Sequence, residues 1–504
     1  MATDLHRSLY SAEQTRNLDH KTISEFGYPG FTLMELAASG AASSVGRRTG
    51  DQKTGLFVCG KGNNAGDALA AARWLLQNHQ HKCHIHLLFG EKELSRDTKH
   101  NLLLLKHLAE AGEPIRFSSG VLPDNGLNDP FDYIIDGLLG TGSTGELRKP
   151  LPETIQGMNS MDIPIFAMDI PSGLNPDSGL AADSTVRAVA TFTFGTLKTG
   201  FYLNKAKDYT GEIELIPLPF PKYLFERERA RLLLPQSADA INFNRKDALH
   251  KYDKGTVHIL AGSEGLTGAA IMASLSAWRQ GAGAVILYSP KKLMPAYEAT
   301  LPQIIKVVTG NEEDTCLMDS HFDTIAEMIK KRPGVLLAGP GLGLHPSTMR
   351  LSERLIEAIE MPVVLDADAL SVFSSLKTKF KGQNENCILT PHPGEAKSYL
   401  GADFQNDHEK LLWTEKFSAE WGVSIIMKGN PTIIASSDQT PLLTGYDTSM
   451  FTRAGFGDVL AGAVATLLSV TNDSVMASSQ ALLSGYRSYL NHTSDIPFSP
   501  EHLL

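Results

Sequence analysis

Two distant stretches of this chain share one grammar: a short apolar strand runs straight into a polar, glycine-bearing loop, and a helix of small residues follows. In the first, residues 54–60 (TGLFVCG) lead into Lys61-Gly62-Asn63-Asn64-Ala65-Gly66-Asp67 and then a helix over 68–77. In the second, a strand over 256–261 meets a loop over 262–268, a helix over 269–280 and, after Gly281-Ala282-Gly283, another strand over 284–288. A helical crossover returns the chain to pair in parallel, and the loops then gather at the carboxyl edge of the sheet, where α/β ligands bind. Other strands end the same way. Residues 133–136 precede Gly140–Glu146, 163–169 precede Ile170-Pro171-Ser172-Gly173, and 334–338 precede Gly339–Gly343. Residues 363–366 precede Ala367-Asp368, 387–390 precede Pro391-His392-Pro393-Gly394-Glu395, and 424–427 precede Lys428-Gly429-Asn430-Pro431-Thr432. The fold class is therefore α/β in both halves, with a doubly wound sheet in the first.

A chain of 504 residues exceeds what one core organises. The prolines at 217, 219 and 221 interrupt any regular element. The expected domains are 1–220 and 235–504. With 46 basic and 56 acidic residues the net charge is −10, which disfavours nucleic acid as a main partner. Four scattered cysteines without a Cys-x-x-Cys pair fit a reducing compartment. No apolar run is long enough for a signal peptide or a membrane span, so a cytoplasmic protein free of the membrane is expected.

The richest anion-binding candidate is Arg453-Ala454-Gly455-Phe456-Gly457-Asp458, ahead of an apolar helix starting near Val459. Glycines allow close backbone approach, and free amides at a helix start meet phosphate oxygens. Asp458 reads either as a helix cap or as a general base facing a hydroxyl. Lys428, leaving an apolar strand for a glycine turn, reads as a phosphate contact; His392, rigid between two prolines, orients a substrate or merely fills a loop. Asp366 and Asp368 read as polar scaffolding near the site. The cluster His79, His81, Cys83, His84 and His86 reads as a polar sheet edge rather than a metal site, because Cys83 points away from His84 and His86.

Residues 59–67, Asp136-Gly-Leu-Leu-Gly-Thr-Gly142 and Asp169-Ile-Pro-Ser-Gly-Leu174 resemble the three signatures of the NAD(P)H-hydrate epimerase family. That resemblance implies a Rossmann-like domain. It implies that Asn64, Asp136 and Ser172 hold a potassium ion, a hard cation suited to oxygen ligands. It further implies that Asn63, Asn64, Ala65, Gly66, Asp67, Gly140, Thr141, Gly142, Ser143, Thr144, Gly145, Glu146 and Asp169 line the hydrated nicotinamide nucleotide, with Asp169 catalytic. Ala65 and Ala68 stand where the family carries glycine, and a methyl at position 65 is strained if its φ is positive. Gly339–Gly343, Leu389–Glu395, Lys428–Thr432 and Gly455–Asp458 resemble the ADP/ATP-dependent NAD(P)H-hydrate dehydratases, a branch of the ribokinase-like fold. This implies that Lys428, Gly429, Asn430, Pro431, Thr432, Gly457 and Asp458 contact the nucleotide, and that Ala269, Gly341 and His392 contact the hydrated cofactor. Phe456 stands where a small or polar residue is usual, a bulky ring beside the anion pocket.

Together the resemblances imply a bifunctional isomerase and lyase acting on hydrated NADH and NADPH, with ADP rather than ATP as the expected co-substrate, accompanied by magnesium. A homo-oligomer is expected. The rival expectation is a small-molecule kinase in the second half and a non-catalytic binding module in the first.

Overall fold

Residues 54–59 hold no charged side chain, and each from Gly55 to Cys59 is buried. Such a strand needs cover on both faces, which a parallel sheet flanked by helices supplies. The computed structural model describes residues 6–123, 127, 130–142, 146–235, 255–380 and 387–504. The chain divides into two compact units, one Ser8–Ala230 and the other containing Arg231–Leu504.

The strands of the first unit are β1 (His6–Tyr10), β2 (Thr54–Cys59), β3 (Lys82–Leu87), β4 (Ile115–Ser119), β5 (Tyr133–Gly137), β6 (Ile165–Met168), β7 (Ala190–Phe194), β8 (Leu197–Lys198) and β9 (Glu212–Ile216). The sheet runs β4-β3-β2-β5-β6-β7-β9, parallel throughout. Strand order reverses between β2 and β5, the place where a doubly wound sheet opens a ligand crevice. β1 and β8 form a short parallel pair, Leu9 with Leu197 and Tyr10 with Lys198, which fixes Lys198.

Two expectations are corrected here. The helix after β2 is Asn63–His79, starting five residues before 68, with extended Gly62 as its cap. Asparagines favour turns through bonds to their own backbone, but here Asn64 Nδ2 donates to the Leu139 carbonyl at 2.7 Å, and Asn63 Oδ1 accepts from Ser95 Oγ at 2.8 Å. Tertiary partners replace the turn. Likewise β3 is no sheet edge, since β2 and β4 pair with its two sides. His81 bonds the Tyr133 hydroxyl and Gly50 carbonyl, and His84 and His86 both bond Ser118 Oγ. These histidines are internal polar links, and among the described residues no group of three or more His, Cys, Asp or Glu is placed to hold a metal ion.

In the second unit, the strands are β10 (Ala230–Leu233), β11 (Thr256–Leu260), β12 (Ala284–Pro290), β13 (Ile305–Thr309), β14 (Val335–Ala338), β15 (Val363–Leu365), β16 (Cys387–Leu389), β17 (Ser424–Met427), β18 (Ile433–Ala435) and β19 (Leu442–Thr444). Their order is β13-β12-β11-β14-β15-β16-β17-β18-β19-β10. Only β18 runs against its neighbours. Helices Thr267–Arg279 and Phe456–Thr471 touch where a Cβ on Gly462 would lie 2.2 Å from the Ala273 carbonyl oxygen, so glycine sets their distance. Among the described residues, no helix is long and apolar enough to cross a membrane.

Candidate active sites

In the first unit the loops after β2 and β5 are drawn together at the switch point: a Cβ on Gly60 would lie 2.1 Å from the Leu138 carbonyl oxygen. Asp136, fully buried at the end of β5, accepts the Leu138 amide at 3.1 Å, the Ser172 hydroxyl at 2.7 Å and the Ser172 amide at 2.8 Å. Burial pushes its carboxyl up to about 6, against the hydrogen bonds from Ser172 and Leu138 that favour the charged form. Ser172 Oγ also accepts the Leu139 amide at 3.0 Å. Asn64 donates to the Leu139 carbonyl, while its Oδ1 is buried with no partner. One short loop thus ties Asn64, Asp136 and Ser172 together, and an amide oxygen, a carboxylate and a hydroxyl form a hard-oxygen donor set with one acceptor unmet.

A cavity of about 700 Å³ opens beside them, lined by Asn63, Asn64, Asp67, Gly140, Thr141, Gly142 and Asp169. Ala65 and Gly66 are buried in the helix behind it, and Glu146 is exposed and not among the lining residues. Ser143, Thr144 and Gly145 lie outside the described residues. The concern over Ala65 is answered by the backbone: it lies in helix Asn63–His79 and is not among the positive-φ residues, so its methyl is carried without strain in the core.

Asp169 is the residue under backbone strain, with φ of 63°, a region other residues enter at a cost of about 1–3 kcal/mol. One of its oxygens takes the Lys198 ammonium at 2.6 Å, and the other accepts the Thr141 amide at 3.2 Å. Lys198 is wholly buried, its remaining bonds going to Thr193 Oγ1 at 2.6 Å and the Phe194 carbonyl at 3.5 Å. Reading the sequence missed Lys198, which stands 29 residues from Asp169 with no motif to flag it. Two more carboxyls share the cavity, Asp67, expected there, and Asp19, which the sequence did not flag. Asp67 is held well above the usual range by burial, then by Asp169 and Asp19, with Lys198 opposing; Asp19 is raised by burial and then by Asp169.

In the second unit a cavity of about 790 Å³ brings together His392, Lys428, Gly429, Asn430, Thr432, Gly457 and Asp458. The helix there is Phe456–Thr471, three residues longer at its start than expected, and capped by Gly455 at φ 96°. Asp458 is therefore the third residue of the helix, and the first-turn amides of Gly457 and Asp458 have no carbonyl of their own helix to meet. Lys428 Nζ bonds Asp366 Oδ1 at 3.0 Å and lies 3.7 Å from Glu395 Oε2. Burial opposes its charge, but Asp366, Glu395 and Asp458 outweigh that and hold the ammonium above its ordinary range. A Cβ on Gly457 would come within 3.3 Å of that ammonium, so the glycine keeps the approach open. Burial raises Asp458 to about 7, Asp366, Glu395 and Asp368 adding to it and Lys428 resisting.

Asp366 is a scaffold as expected, its Oδ1 also accepting the Thr390 hydroxyl at 2.6 Å. Asp368 accepts the Gly343 amide at 2.8 Å. His392 caps the turn Pro393–Glu395: its Nδ1 accepts the Gly394 and Glu395 amides at 3.0 and 3.3 Å, leaving Nε2 to carry the proton, 3.4 Å from Glu395 Oε1. Pro431 turns from the cavity, its carbonyl accepting the buried Lys410 ammonium at 3.2 Å. Ala269 and Gly341 are neighbours, a Cβ on Gly341 lying 2.9 Å from that of Ala269, but neither lines this cavity. They sit beside the β11/β14 switch point. Phe456 does not fill the anion loop. Its ring is buried, stacked on Phe498 at 5.6 Å and edge-on to Phe451 at 5.4 Å.

Two α/β units, each with carboxylates and a lysine ion-paired to one of them at the carboxyl edge of its sheet, define a two-site enzyme. Residues 30–200 match the YjeF-related protein N-terminus family, and residues 257–490 match the NAD(P)H-hydrate dehydratase family. The chain is 31% identical over 484 residues to the bifunctional NAD(P)H-hydrate repair enzyme of Salinibacter ruber, covering 93% of this chain and 89% of that one. It is 32% identical over 462 residues to the enzyme of the same description from Pyrobaculum aerophilum, covering 90% and 88%. A solved ADP/ATP-dependent NAD(P)H-hydrate dehydratase from Bacillus subtilis, co-crystallised with ATP/Mg2+, is 25% identical with a TM-score of 0.44, over 54% of this chain and 94% of that chain. The chain belongs to the family of bifunctional NAD(P)H-hydrate repair enzymes.

Proposed function

We propose that Ser8–Ala230 interconverts the two epimers of hydrated NADH and NADPH at C6, and that the unit containing Arg231–Leu504 dehydrates one of them at the expense of ADP, giving AMP and phosphate. The observation that carries the second assignment is Asp458, raised to about 7 beside the Lys428 ammonium and the first amides of a helix. A base that titrates near neutrality accepts a hydroxyl proton efficiently. Water added across C5–C6 leaves a hydroxyl at C6, and direct loss would expel hydroxide. Asp458 takes the hydroxyl proton as the oxygen attacks phosphorus, while the Gly457 amide and Lys428 meet the charge on the transferred group. Phosphate then departs with the C6–O electrons, the ring nitrogen lone pair assists, and loss of a C5 proton restores the double bond. Magnesium, when bound with the nucleotide, would screen its phosphates.

In the first unit, potassium fits the observed donors: the unpartnered Asn64 Oδ1, the buried Asp136 and Ser172 Oγ. When bound it supplies a fixed positive charge beside the substrate cavity, and Asp169 supplies the acid/base group. Family membership does not favour a kinase releasing a stable ester, nor a first unit that only binds. The test is incubation of each separated epimer with ADP or ATP, following recovery of dihydronicotinamide absorbance and epimer composition. Recovery from both epimers with ADP is expected; accumulation of a stable phosphate ester without recovery refutes the dehydratase reading, and recovery from one epimer alone refutes the epimerase reading.

A further inference from the structure

Asp169 lies in a cavity that holds more carboxyl groups than one base requires. Both its oxygens are engaged, one by a buried ammonium and one by an amide, the arrangement of a carboxylate acting as acceptor. Asp67 lines the same cavity from helix Asn63–His79, and Asp19 from helix Ala12–Ser24. Among the described contacts, Lys198 is hydrogen-bonded to Asp169 and not to Asp67. The groups acting on Asp67 are Asp169, Asp19 and Lys198, and the cavity is lined further by Arg16, Lys61, Asp97, Arg148 and Lys149.

Resting on the epimerase reading, we propose that Asp67 is a second catalytic residue of the first site, the proton donor that complements Asp169, and that Lys198 is the positioning residue that keeps their roles apart. C6 of the hydrate carries both the hydroxyl and the ring nitrogen N1, so it is a hemiaminal carbon. Inverting it needs a proton removed at oxygen and one delivered at nitrogen. Asp169 takes the hydroxyl proton, the O–H electrons form C6=O, the C6–N1 bond breaks, and N1 keeps that electron pair and takes the proton of Asp67. The freed aldehyde turns its other face. N1 then attacks C6 while returning its proton to Asp67, and Asp169 returns its proton to oxygen. Atoms, charge and protons balance over the cycle, and no oxidant or further reactant enters. The same low-dielectric crowding keeps a proton on Asp67, since burial, Asp169 and Asp19 all oppose its charge, and Lys198, the cation that favours that charge, is bonded to Asp169.

The test is epimer exchange by the full chain without nucleotide, starting from each separated epimer, with dehydration measured separately to report on an intact fold. Asp67→Asn is expected to lower kcat for exchange by about 10²-fold or more, the usual worth of a positioned acid, with KM little changed and dehydration kept. Lys198→Met is expected to lower exchange and to move the acidic limb of its pH profile to higher pH, Lys198→Arg restoring part of both. Exchange by Asp67→Asn at the wild-type rate, or a raised KM with kcat intact, overturns the acid assignment. If Asp67→Asn fails to fold, the wild-type profile decides: exchange that falls at both acidic and alkaline pH supports a paired base and acid, and a profile flat on the alkaline side refutes it. Wild-type protein that exchanges neither epimer overturns the epimerase reading itself, and this inference with it.

Discussion

Asp458→Asn is expected to abolish dehydration and at the same time to stabilise the fold, most of all at alkaline pH. Folded, Asp458 keeps its proton to about pH 7; unfolded, it releases it near its ordinary 3.8. Between those values the folded chain binds the more protons, so stability falls as pH rises through this window, and the deficit is complete above pH 7. A gap of about 3 units at about 1.4 kcal/mol per unit sets a ceiling of about 4 kcal/mol. Solvent relaxation around a partly exposed group coupled to Asp366, Glu395 and Lys428 lowers this to about 2–3 kcal/mol. Asparagine resembles the protonated acid and lacks this liability. The assay is denaturant unfolding of the full chain at pH 5 and pH 9, wild type against variant, beside kcat for dehydration across the same range. The gain in midpoint is expected in full at pH 9 and cut to about a third at pH 5, and wild-type kcat should rise through about pH 7 as the base ionises. Equal stabilisation at both pH values, or a variant that keeps its kcat, refutes the argument from burial and crowded carboxylates.

Replacing potassium with tetramethylammonium should slow epimer exchange by about 5- to 100-fold, because an unmet buried acceptor such as Asn64 Oδ1 is worth about 1–3 kcal/mol; dehydration, measured on the epimer it consumes, should not change. Phe456→Thr removes a ring stacked on Phe498, so a loss of about 2–4 kcal/mol in unfolding free energy is expected, with kcat for dehydration within a few-fold of wild type. Gly339→Ala places a Cβ 1.7 Å from the Asp366 carbonyl oxygen at a φ of 130°, and soluble expression should fall sharply, read by fractionation of the lysate.

What the sequence made legible was the strand ends. An apolar run that stops at a glycine and a carboxylate marks the carboxyl edge of a parallel strand whatever packs around it, as at Asp136 and Asp366. Helix starts were less legible, because Asn63 and Asn64 have two outlets for their side chains. Local turn bonds are visible in the sequence, whereas Ser95 and Leu139 enter only once the sheet is assembled. The histidines of β3 misled for the same reason, since sheet order decides whether a strand is an edge. Lys198 was hidden most deeply: its role depends on β8 pairing with β1 and on Asp169 being held at positive φ, neither of which leaves a local pattern.

The two sites use a lysine and several acids in opposite senses. In the first, the Lys198 ammonium is bonded directly to the proposed base, Asp169, so the surplus of negative charge falls on Asp67. In the second, the ammonium of Lys428 is bonded to the scaffold Asp366, and the surplus falls on the proposed base itself, Asp458. Ring opening at a hemiaminal needs a base and an acid together, and a lysine committed to the base leaves a neighbouring carboxyl to hold the proton. Phosphoryl transfer needs one base strong enough to take a hydroxyl proton, with cations meeting charge elsewhere, and a lysine committed to the scaffold provides that. The position of one ammonium along each row of carboxyls therefore divides the chemistry between the sites.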